Sequence, residues 1–477
     1  MNDQLKAVFN TAYTTYPSIP KGVLEAVAFT KTRLKHIQPE LESRSCIGMP
    51  AVIGIMGLAD HTSSYFNNTL QLNSNLSGIP SELIRESAEM NILAYASSFS
   101  KTKELLGITT NEMESNFVIL QYLSELPAKT NAQQYALDTE LYSILTFMSN
   151  MTFMTSVGHD SHSINLEMIF GVENLKVLSS KWVKIDKEKI TSKNNATYKG
   201  ASCLDYPNAI WVAADPSNYS SRNGTAITAV TIHTVQGSYS GCISYFQSPS
   251  ANVSAHYVVR SSDGQITQMV CEEDKGWHVG TENSYTIGIE HEGFVSDPSW
   301  YTDSMYIGSA SLVKDIINSG YGINPLRVAF WPWTATTLYN QAGIPGTCSK
   351  VKGHMHFPNQ THTDPGEYWN WELFYKMIND SASSNILTDT SGIIYDSGGP
   401  SGNYSDDERI ITVIKPANAD RVTLEFISFD IELDWDYIYV YDGPTVWDSL
   451  IGYYTGTNSP GVITSTGNAL TIEFRSD

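Results

Sequence analysis

The hydrophobic pattern of this 477-residue chain changes its period twice. Apolar residues first recur at helical spacing, in segments 22–34, 81–97 and 139–151. After a polar stretch at 192–197, strand-like runs are followed by a helical pattern at 305–319. Beyond a second polar stretch at 381–384 there are only short alternating runs and turns. Three such patterns in a chain of this length predict three domains of different architecture.

The predicted boundaries follow these changes of period. We expect a helical domain at 1–165, a linker at 166–206, an α/β domain at 207–380 and a small β-sandwich at 386–477. In the α/β domain, a strand at 227–233 is followed by strand-like runs, two of them joined by the hairpin signal Asp263-Gly264. The chain is therefore multidomain, and each part needs its own functional interpretation.

The net charge argues against two classes of partner. The formal net charge is −21, so the basic side chains that neutralise nucleic-acid phosphates are scarce. The same charge disfavours an anionic membrane surface. Residues 386–477 contain 15 acidic and 4 basic side chains, which account for about half of the excess. Such a concentration of carboxylates suits solubility or a cation such as calcium.

The remaining composition points to an exported protein. No apolar run is long enough to span a membrane, and the first residues lack the basic and apolar regions of a signal peptide. The chain is rich in Asn, Ser, Thr and Tyr, so we expect a secreted, cell-surface or periplasmic protein whose signal peptide is not present in this chain. The five cysteines form no CxxC pair, and their odd number leaves at least one thiol unpaired or paired between chains.

Three side chains in the α/β domain have the chemistry of a zinc site. His233 ends an apolar strand, His354 follows Gly353, and Asp364 lies ten positions after His354. A catalytic zinc site uses three nitrogen or oxygen ligands from the protein and keeps one position for water. Glu290 ends a neighbouring strand and would supply a general base. With eleven histidines in the chain, spacing alone leaves this assignment open.

Ordered motifs strengthen the zinc hypothesis. They are Ile232-His233-Thr234 with Gly237, Val253-Ser254-Ala255-His256-Tyr257, Asp263-Gly264, Gly276-Trp277-His278-Val279-Gly280, Ile287-Gly288-Ile289-Glu290, Gly353-His354 and Thr363-Asp364-Pro365-Gly366. In this order they resemble the type-2 N-acetylmuramoyl-L-alanine amidase family, to which peptidoglycan recognition proteins are related. The resemblance implies an α/β fold with a mixed sheet flanked by helices, zinc held by His233, His354 and Asp364, and Glu290 as the base. It also implies cleavage of the amide between N-acetylmuramic acid and L-alanine in peptidoglycan.

One position departs from this family. Two residues before the last ligand the family usually has a Lys that stabilises the oxyanion, and this chain has His362. A protonated imidazole can donate the same hydrogen bond, but it loses its charge near neutral pH. We therefore expect His362 to act in catalysis and the rate profile to be shifted toward acid.

The other polar and aromatic residues of this domain have competing interpretations. His278 and Trp277 are predicted to line the substrate groove, with a structural role as the alternative. Trp331 and Trp333 are expected in the core or at its rim, with stacking on sugar as the alternative.

Four further residues are assigned mainly structural or reserve roles. His256 and His291 are expected to pack in or beside the sheet. His356 is the weaker competitor of His354 as a ligand, and Glu292 is the reserve base because it shares the face of Glu290.

The N-terminal domain resembles the lysozyme-like fold of lytic transglycosylases. The similar segments are Ile19-Pro20-Lys21-Gly22-Val23-Leu24, Gly54-Ile55-Met56-Gly57-Leu58 and Asn91-Ile92-Leu93-Ala94. Lys31 stands where those enzymes have a general-acid Glu, and a Lys does not protonate a glycosidic oxygen as a carboxyl does. We predict a non-catalytic domain that binds glycan, with a purely structural role as the alternative.

The C-terminal segment resembles a CUB domain, possessing Asp396-Ser397-Gly398-Gly399-Pro400, Asp436-Tyr437-Ile438 and Tyr441-Asp442-Gly443. The resemblance implies calcium held by Glu432, Asp436 and Asp477, with solvated surface carboxylates as the alternative. It also implies a surface protein or glycan as partner.

Three functions are compatible with these features. The leading hypothesis is a peptidoglycan amidase with two accessory domains. The alternatives are a non-catalytic protein that recognises peptidoglycan or muropeptides, and an adhesin led by the C-terminal domain. The presence of all three ligand types and a base favours the enzyme.

Overall fold

The computed structural model of the protein describes residues 1–42, 44–61, 65–179, 205–329, 349–357, 361–380 and 383–476, together with the backbone of 184–186 and 189–191. These residues form two compact units. The first unit contains the described residues of 1–323, Ala329 and 351–370. The second unit contains 324–328, 349–350 and 371–476.

The first unit begins with a helical region. Its helices are α1 (Asp3–Thr15), α2 (Val23–Thr32), α3 (Thr69–Ser77), α4 (Ser81–Glu86), α5 (Ala88–Leu105), α6 (Met113–Leu123), α7 (Asn131–Ser149), α8 (Met151–Val157), α9 (Leu166–Phe170) and α10 (Val172–Leu178). A two-stranded hairpin of β1 (Val52–Ile53) and β2 (Leu58–Ala59) lies between α2 and α3. The helix predicted at 81–97 is interrupted at Ser87, whose side chain caps α5 by accepting the Met90 N–H.

Lys31, which stands at the predicted general-acid position, is buried on α2. Its ammonium group lies 2.5 Å from Glu125 and 3.2 Å from Glu140. A buried cation needs such partners to offset its loss of hydration. Lys31 therefore belongs to a buried ion-pair network inside the helical region. The likeness of this region to lysozyme stays a prediction.

An eight-stranded mixed sheet forms the α/β part of the first unit, counted over the described residues. Its strands are β3 (Lys184–Asp186), β4 (Lys189–Thr191), β5 (Ile210–Trp211), β7 (Ala229–Thr234), β8 (Tyr257–Val259), β9 (Ile266–Gln268), β11 (Thr286–His291) and β12 (Val351–Gly353), in the order β12-β7-β11-β8-β9-β5-β3-β4. The pairs β12–β7, β7–β11 and β11–β8 are parallel, whereas β8–β9 is antiparallel. β6 (Tyr219–Ser221) pairs separately with β10 (Asp274–Gly276). The mixed sheet predicted for this segment is confirmed.

The helical region and the α/β part share one hydrophobic core. Helix α11 (Tyr239–Phe246), which follows β7, packs against α7. The cluster of buried apolar side chains runs from Phe9 in α1 through Leu141 in α7 to Ile243 in α11 and Val258 in β8. α12 (Asp303–Asn318) contributes further buried side chains to the α/β part. The two regions therefore bury apolar surface against each other.

The segment predicted as a linker, 166–206, contains regular structure. α9 and α10 occupy its first part, and β3 and β4 extend the edge of the mixed sheet beyond β5. No helix among the described residues is long and apolar enough to cross a membrane.

The second unit is a β-sandwich preceded by helix α13 (Trp371–Ile378). Its strands are β13 (Ser384–Leu387), β14 (Arg409–Ile414), β15 (Thr423–Glu425), β16 (Tyr437–Asp442), β17 (Ser449–Tyr454), β18 (Val462–Thr464) and β19 (Leu470–Arg475). One sheet has the order β13-β14-β19-β16-β17, and the other pairs β15 with β18. Side chains such as Val440, Ile463 and Leu470 fill the space between the sheets. The predicted C-terminal β-sandwich is confirmed.

Candidate metal centre and active site

The carboxyl ends of three parallel strands bring the predicted site residues together. His233 on β7 is in register with Glu290 on β11, and both side chains are fully buried. β12 pairs with β7 up to Gly353 opposite Ile232, and the next residue is His354. Because parallel strands end at the same edge of a sheet, side chains far apart in the sequence meet there.

Asp364 completes this cluster from a loop. One carboxylate oxygen lies 2.9 Å from His233 Nδ1 and the other lies 3.5 Å from His354 Nδ1. The Asp364 carbonyl accepts the Met355 N–H at 3.0 Å, which ties the loop to the turn after β12. A Cβ on Gly353 would come within 2.4 Å of Pro365 Cδ, so the loop can approach β12 only because residue 353 is glycine.

The electrostatics of the cluster keep His233 neutral and Asp364 ionised. Burial lowers the pKa of His233 to about 4, against the opposing effect of Asp364. Burial by itself would raise the pKa of Asp364, but the neighbouring imidazoles of His354 and His233 hold it below its ordinary value. A neutral imidazole and a carboxylate are the forms in which these side chains bind a metal.

Glu290 faces this cluster from the adjacent strand. Burial and the nearby charge of Asp364 raise its pKa well above the ordinary value. Its Oε1 lies 3.5 Å from Cys46 Sγ, while Oε2 is buried without a hydrogen-bond partner among the described residues. A buried carboxylate oxygen without a protein partner is the feature expected where a reactant enters.

His278 lies beneath His233 and not in an open groove. Its Nδ1 is 3.0 Å from His233 Nε2, and its side chain is buried. A Cβ on Gly288 would meet the His278 ring at 2.6 Å, so this glycine makes room for the imidazole against β11. This contact fixes the orientation of the His233 ring.

The neighbours of His278 have structural contacts. Trp277 is half-buried and donates its indole N–H to Ser220 Oγ at 3.1 Å. His256 is buried 2.8 Å from an Arg222 guanidinium nitrogen, and burial lowers its pKa to about 3. Trp331 and Trp333 lie outside the described residues.

The remaining candidate residues are committed to the framework. His291 forms hydrogen bonds through Nδ1 with the His233 carbonyl at 2.9 Å and through Nε2 with Ser309 Oγ at 2.8 Å. His356 Nδ1 accepts the Gly353 N–H at 2.9 Å. Glu292 accepts the backbone N–H groups of Tyr239 and Ser261 at 3.0 and 2.9 Å. Glu290, and not Glu292, therefore faces the cluster.

His362 stands at the rim of the site. Its ring centroid is 4.7 Å from that of His354, and its side chain is half-buried. Burial, followed by the charge of His354, lowers the pKa of His362 from its ordinary value. The imidazole is therefore close enough to the ligand cluster to contact a molecule bound there.

Cys46 is the residue that sequence reasoning missed. It comes from the helical region, yet its Sγ lies 3.6 Å from His233 Nδ1. One ligand atom from each of Cys46, His233, His354 and Asp364 lies within 4.8 Å of the others. The only signal in the sequence was the odd number of cysteines. Cys46 and Cys242 are free thiols, Cys271 is disulfide-bonded, and Cys203 and Cys348 lie outside the described residues.

Two of the three predicted calcium ligands, Glu432 and Asp436, lie among the described residues. Asp436 accepts the Tyr404 hydroxyl at 2.6 Å, and the same hydroxyl accepts the Glu432 N–H at 2.9 Å. Asp477 lies outside the described residues. Among the residues that the structure describes, only the group with Cys46 brings three or more His, Cys, Asp or Glu side chains close enough for an ion. Calcium in the second unit is therefore not supported.

Comparisons with known proteins agree with the position of this cluster. Residues 223–367 match the N-acetylmuramoyl-L-alanine amidase family, and residues 383–477 match the CUB domain. N-acetylmuramoyl-L-alanine amidase A of Achromobacter lyticus is 43% identical over 177 residues, which are 37% of this chain and 96% of that relative. AmpD of Salmonella typhimurium, a 1,6-anhydro-N-acetylmuramyl-L-alanine amidase, is 28% identical over 134 residues, or 26% of this chain and 57% of that relative.

A solved structure of AmpD is also similar to part of the chain. A crystal structure of a selenomethionine derivative of AmpD is 22% identical, covers 36% of this chain and 96% of its own, and aligns with a TM-score of 0.27. The identity to the Achromobacter amidase extends over nearly all of that protein, and the family match spans His233, Glu290, His354 and Asp364. The chain belongs to the N-acetylmuramoyl-L-alanine amidase family.

Proposed function

We propose that this protein is a zinc-dependent amidase that hydrolyses the bond between N-acetylmuramic acid and L-alanine in peptidoglycan. The observation that carries the proposal is the convergence of His233, His354 and Asp364 at one edge of the sheet, with Glu290 in register beside them. Membership of the amidase family supports the reaction class.

The side chains of the site fit zinc. Imidazole nitrogen and carboxylate oxygen are preferred zinc ligands. The ligand atoms of the cluster already lie within 4.8 Å of one another. Zinc, when bound, supplies a Lewis acid that polarises the scissile carbonyl and lowers the pKa of a water molecule to about 7.

The protein side chains divide the remaining work. His278 holds Nε2 of His233, so that Nδ1 stays directed at the cluster. Glu290 takes a proton from the attacking water and returns it to the nitrogen of L-alanine as the carbon–nitrogen bond breaks. The products are a free lactyl carboxyl group and a peptide with a new amino end.

His362 is proposed to stabilise the oxyanion of the tetrahedral intermediate. It lies at the rim beside His354, where its ring N–H groups can reach a carbonyl oxygen at the centre of the cluster. Only the protonated imidazole is charged. The rate is therefore expected to fall more steeply with rising pH than in an enzyme that has Lys at this position.

The accessory regions support action outside the cell. CUB domains are extracellular modules, so we propose that the protein is exported and that its second unit binds a surface protein or glycan. The helical region is proposed to bind glycan strands without cleaving them, because Lys31 replaces the acid.

The decisive experiment measures new L-alanine amino ends released from purified peptidoglycan. Wild type, Asp364→Ala and Cys46→Ala are compared with and without a zinc chelator, since Cys46 lies among the ligands. Release that requires zinc and disappears in Asp364→Ala supports the proposal. Absence of release from both wild type and Cys46→Ala, with binding to peptidoglycan retained, would place the protein among the recognition proteins.

A further inference from the structure

We propose that Cys46 is a fourth, inhibitory zinc ligand, and that the structure shows a latent form of the amidase. This inference rests on the proposed zinc site. It assigns a role to a segment of the helical region that lies outside the part of the chain matched to the amidase family.

The position of the thiol carries the proposal. Cys46 Sγ lies 3.6 Å from His233 Nδ1, the same nitrogen that faces the Asp364 carboxylate at 2.9 Å. Cys46, His233, His354 and Asp364 form one group of ligand atoms within 4.8 Å. Cys46 Sγ also lies 3.5 Å from Glu290 Oε1, and Oε2 of the same carboxylate is buried beside this group without a partner among the described residues.

The loop that carries Cys46 is seated on the α/β part. This loop, residues 44–50, contains no helix or strand. Ser45 Oγ donates to the carbonyl of Val235, just beyond β7, at 2.8 Å. The Ile47 side chain joins the shared core, and Met49 Cε lies so near Gly241 that a Cβ there would meet it at 2.9 Å.

These contacts direct the thiol at the cluster from outside the sheet. The two neighbours of Cys46 are anchored, Ser45 by its hydrogen bond to Val235 and Ile47 in the shared core. The contacts are nevertheless few compared with those of a strand: Ser45 donates one hydrogen bond to the α/β part, and the Cys46 thiol lies within hydrogen-bonding distance of Glu290 and His233. A loop held in this way can leave without unfolding the sheet.

A fourth protein ligand changes what the site can do. Zinc sites with four protein ligands are closed, whereas catalytic sites keep one position for water or substrate. A thiol gives up its proton when it binds zinc, so closure of the site releases one proton. With Cys46 bound, neither water nor the scissile carbonyl has a place on the metal, and the chain is inactive until the loop withdraws.

The ligand role is tested by spectroscopy on the full-length protein loaded with Co²⁺ in place of zinc. The wild type is expected to show thiolate-to-cobalt charge-transfer absorption that Cys46→Ala lacks. Cys242→Ala is the matched control, because Cys242 is the other free thiol among the described residues and is fully buried in α11. The Cys242→Ala protein should show the same charge-transfer absorption as the wild type. The wild-type spectrum is informative even if a variant does not fold, since absence of the band in the wild type overturns the proposal.

The inhibitory role is tested by hydrolysis of peptidoglycan by the zinc-loaded proteins. Cys46→Ala should be faster than wild type by at least about tenfold, because the open form is the minor population in the wild type. Cys242→Ala should match the wild type. Equal rates for Cys46→Ala and wild type would overturn the inhibitory role.

The two measurements separate this inference from the proposed function. If the wild type lacks the charge-transfer band but hydrolyses peptidoglycan with zinc, the amidase stands and the role of Cys46 is wrong. If the band depends on Cys46 but no variant hydrolyses peptidoglycan, Cys46 is a ligand and the proposed amidase function, with the latency built on it, is wrong.

Discussion

At the scale of single residues, the sharpest contrast in the site is between two glutamates on β11 and just beyond it. Glu292 accepts two backbone N–H groups, which commits it to holding the fold. Glu290 has an oxygen without a partner in the described part of the chain and is in register with His233. The contacts of the two carboxylates thus favour Glu290 over Glu292 as the candidate base, although the sequence places both on one face of a strand.

The substitution Glu290→Gln tests this separation. The amide keeps the shape but does not accept a proton, so hydrolysis should fall by about 10²–10⁴-fold while zinc content is unchanged. The measurement is the rate of L-alanine amino-end release, with zinc determined on the same samples. Glu273→Gln is the control, because Glu273 is exposed. A Glu290→Gln protein that keeps the wild-type rate would remove Glu290 from the mechanism.

The candidate ligands illustrate what a sequence can reveal about a site. His233, His354 and Asp364 lie in motifs whose order could be recognised, and the structure brings them together. Cys46 was not foreseeable, because it lies 187 positions from His233 and meets it only through the tertiary fold. His278 was expected in a groove, yet whether a side chain after a turn points inward depends on contacts such as that with Gly288.

At the scale of elements, β12 and the loop after it determine where Asp364 stands. The loop packs against Gly353, with Pro365 Cδ 2.4 Å from the position that a Cβ would take. The hydrophobic pattern of the sequence predicted β7 and β11 because both are long apolar runs. The sequence pattern did not reveal β12, because Val351–Gly353 has only three residues.

The substitution Gly353→Ala should disturb this packing. The added methyl group displaces Pro365 and with it Asp364, so zinc binding should weaken and stability fall by about 1–3 kcal/mol. Calorimetric zinc titration and thermal unfolding measure the two effects. Gly467→Ala is the control, because nothing lies within 4 Å of the added carbon. Unchanged zinc affinity in Gly353→Ala would show that this contact does not position Asp364.

In the second unit, strand β19 carries a buried ion-pair group. Glu473 lies 2.6 Å from Arg409 and 2.8 Å from Arg475, and its side chain is fully buried. Burial alone would raise the pKa of Glu473, but the two guanidinium groups lower it to about 2. Since the folded-state pKa is depressed, the stabilisation is present above the unfolded pKa and is lost as pH falls toward 2.

The variant Glu473→Gln tests this pH dependence. At neutral pH it should lower the free energy of unfolding of the second unit by about 3–5 kcal/mol, because two buried cations lose their partner. The difference from wild type should shrink between about pH 5 and pH 2, where wild-type Glu473 also becomes neutral. Denaturant unfolding at several pH values measures it, with exposed Glu425→Gln as the control. A difference that does not change with pH would contradict an ionised Glu473.

At the scale of the whole molecule, the shared core of the first unit is the main departure from what the sequence predicts. Hydrophobic periodicity shows that α7 and α11 each have an apolar face, but it does not show which surface covers each face. The structure packs them against each other. The break in pattern near residue 166 therefore marks a change of secondary structure and not a gap between cores.

Unfolding of the full chain tests the shared core. Leu141→Ala in α7 removes a fully buried side chain, so it should destabilise the protein by about 2–5 kcal/mol. The substitution should lower the midpoint temperature of the same transition whose midpoint zinc raises, although the proposed zinc ligands lie in the α/β part and not in α7. Leu105→Ala is the control, because Leu105 is 72% exposed. A Leu141→Ala effect confined to a transition insensitive to zinc would show that the helical region unfolds by itself.

The common core also bears on how such proteins can be recombined. A crossover between the helical region and the amidase segment would leave apolar surfaces on α7 and α11 exposed in both products. The helical region is thus not freely exchangeable, because its buried apolar face must fit the surface of the amidase segment. A substitution on the buried face of α7 or α11 must therefore be accommodated by the other helix, so the two regions are expected to change together.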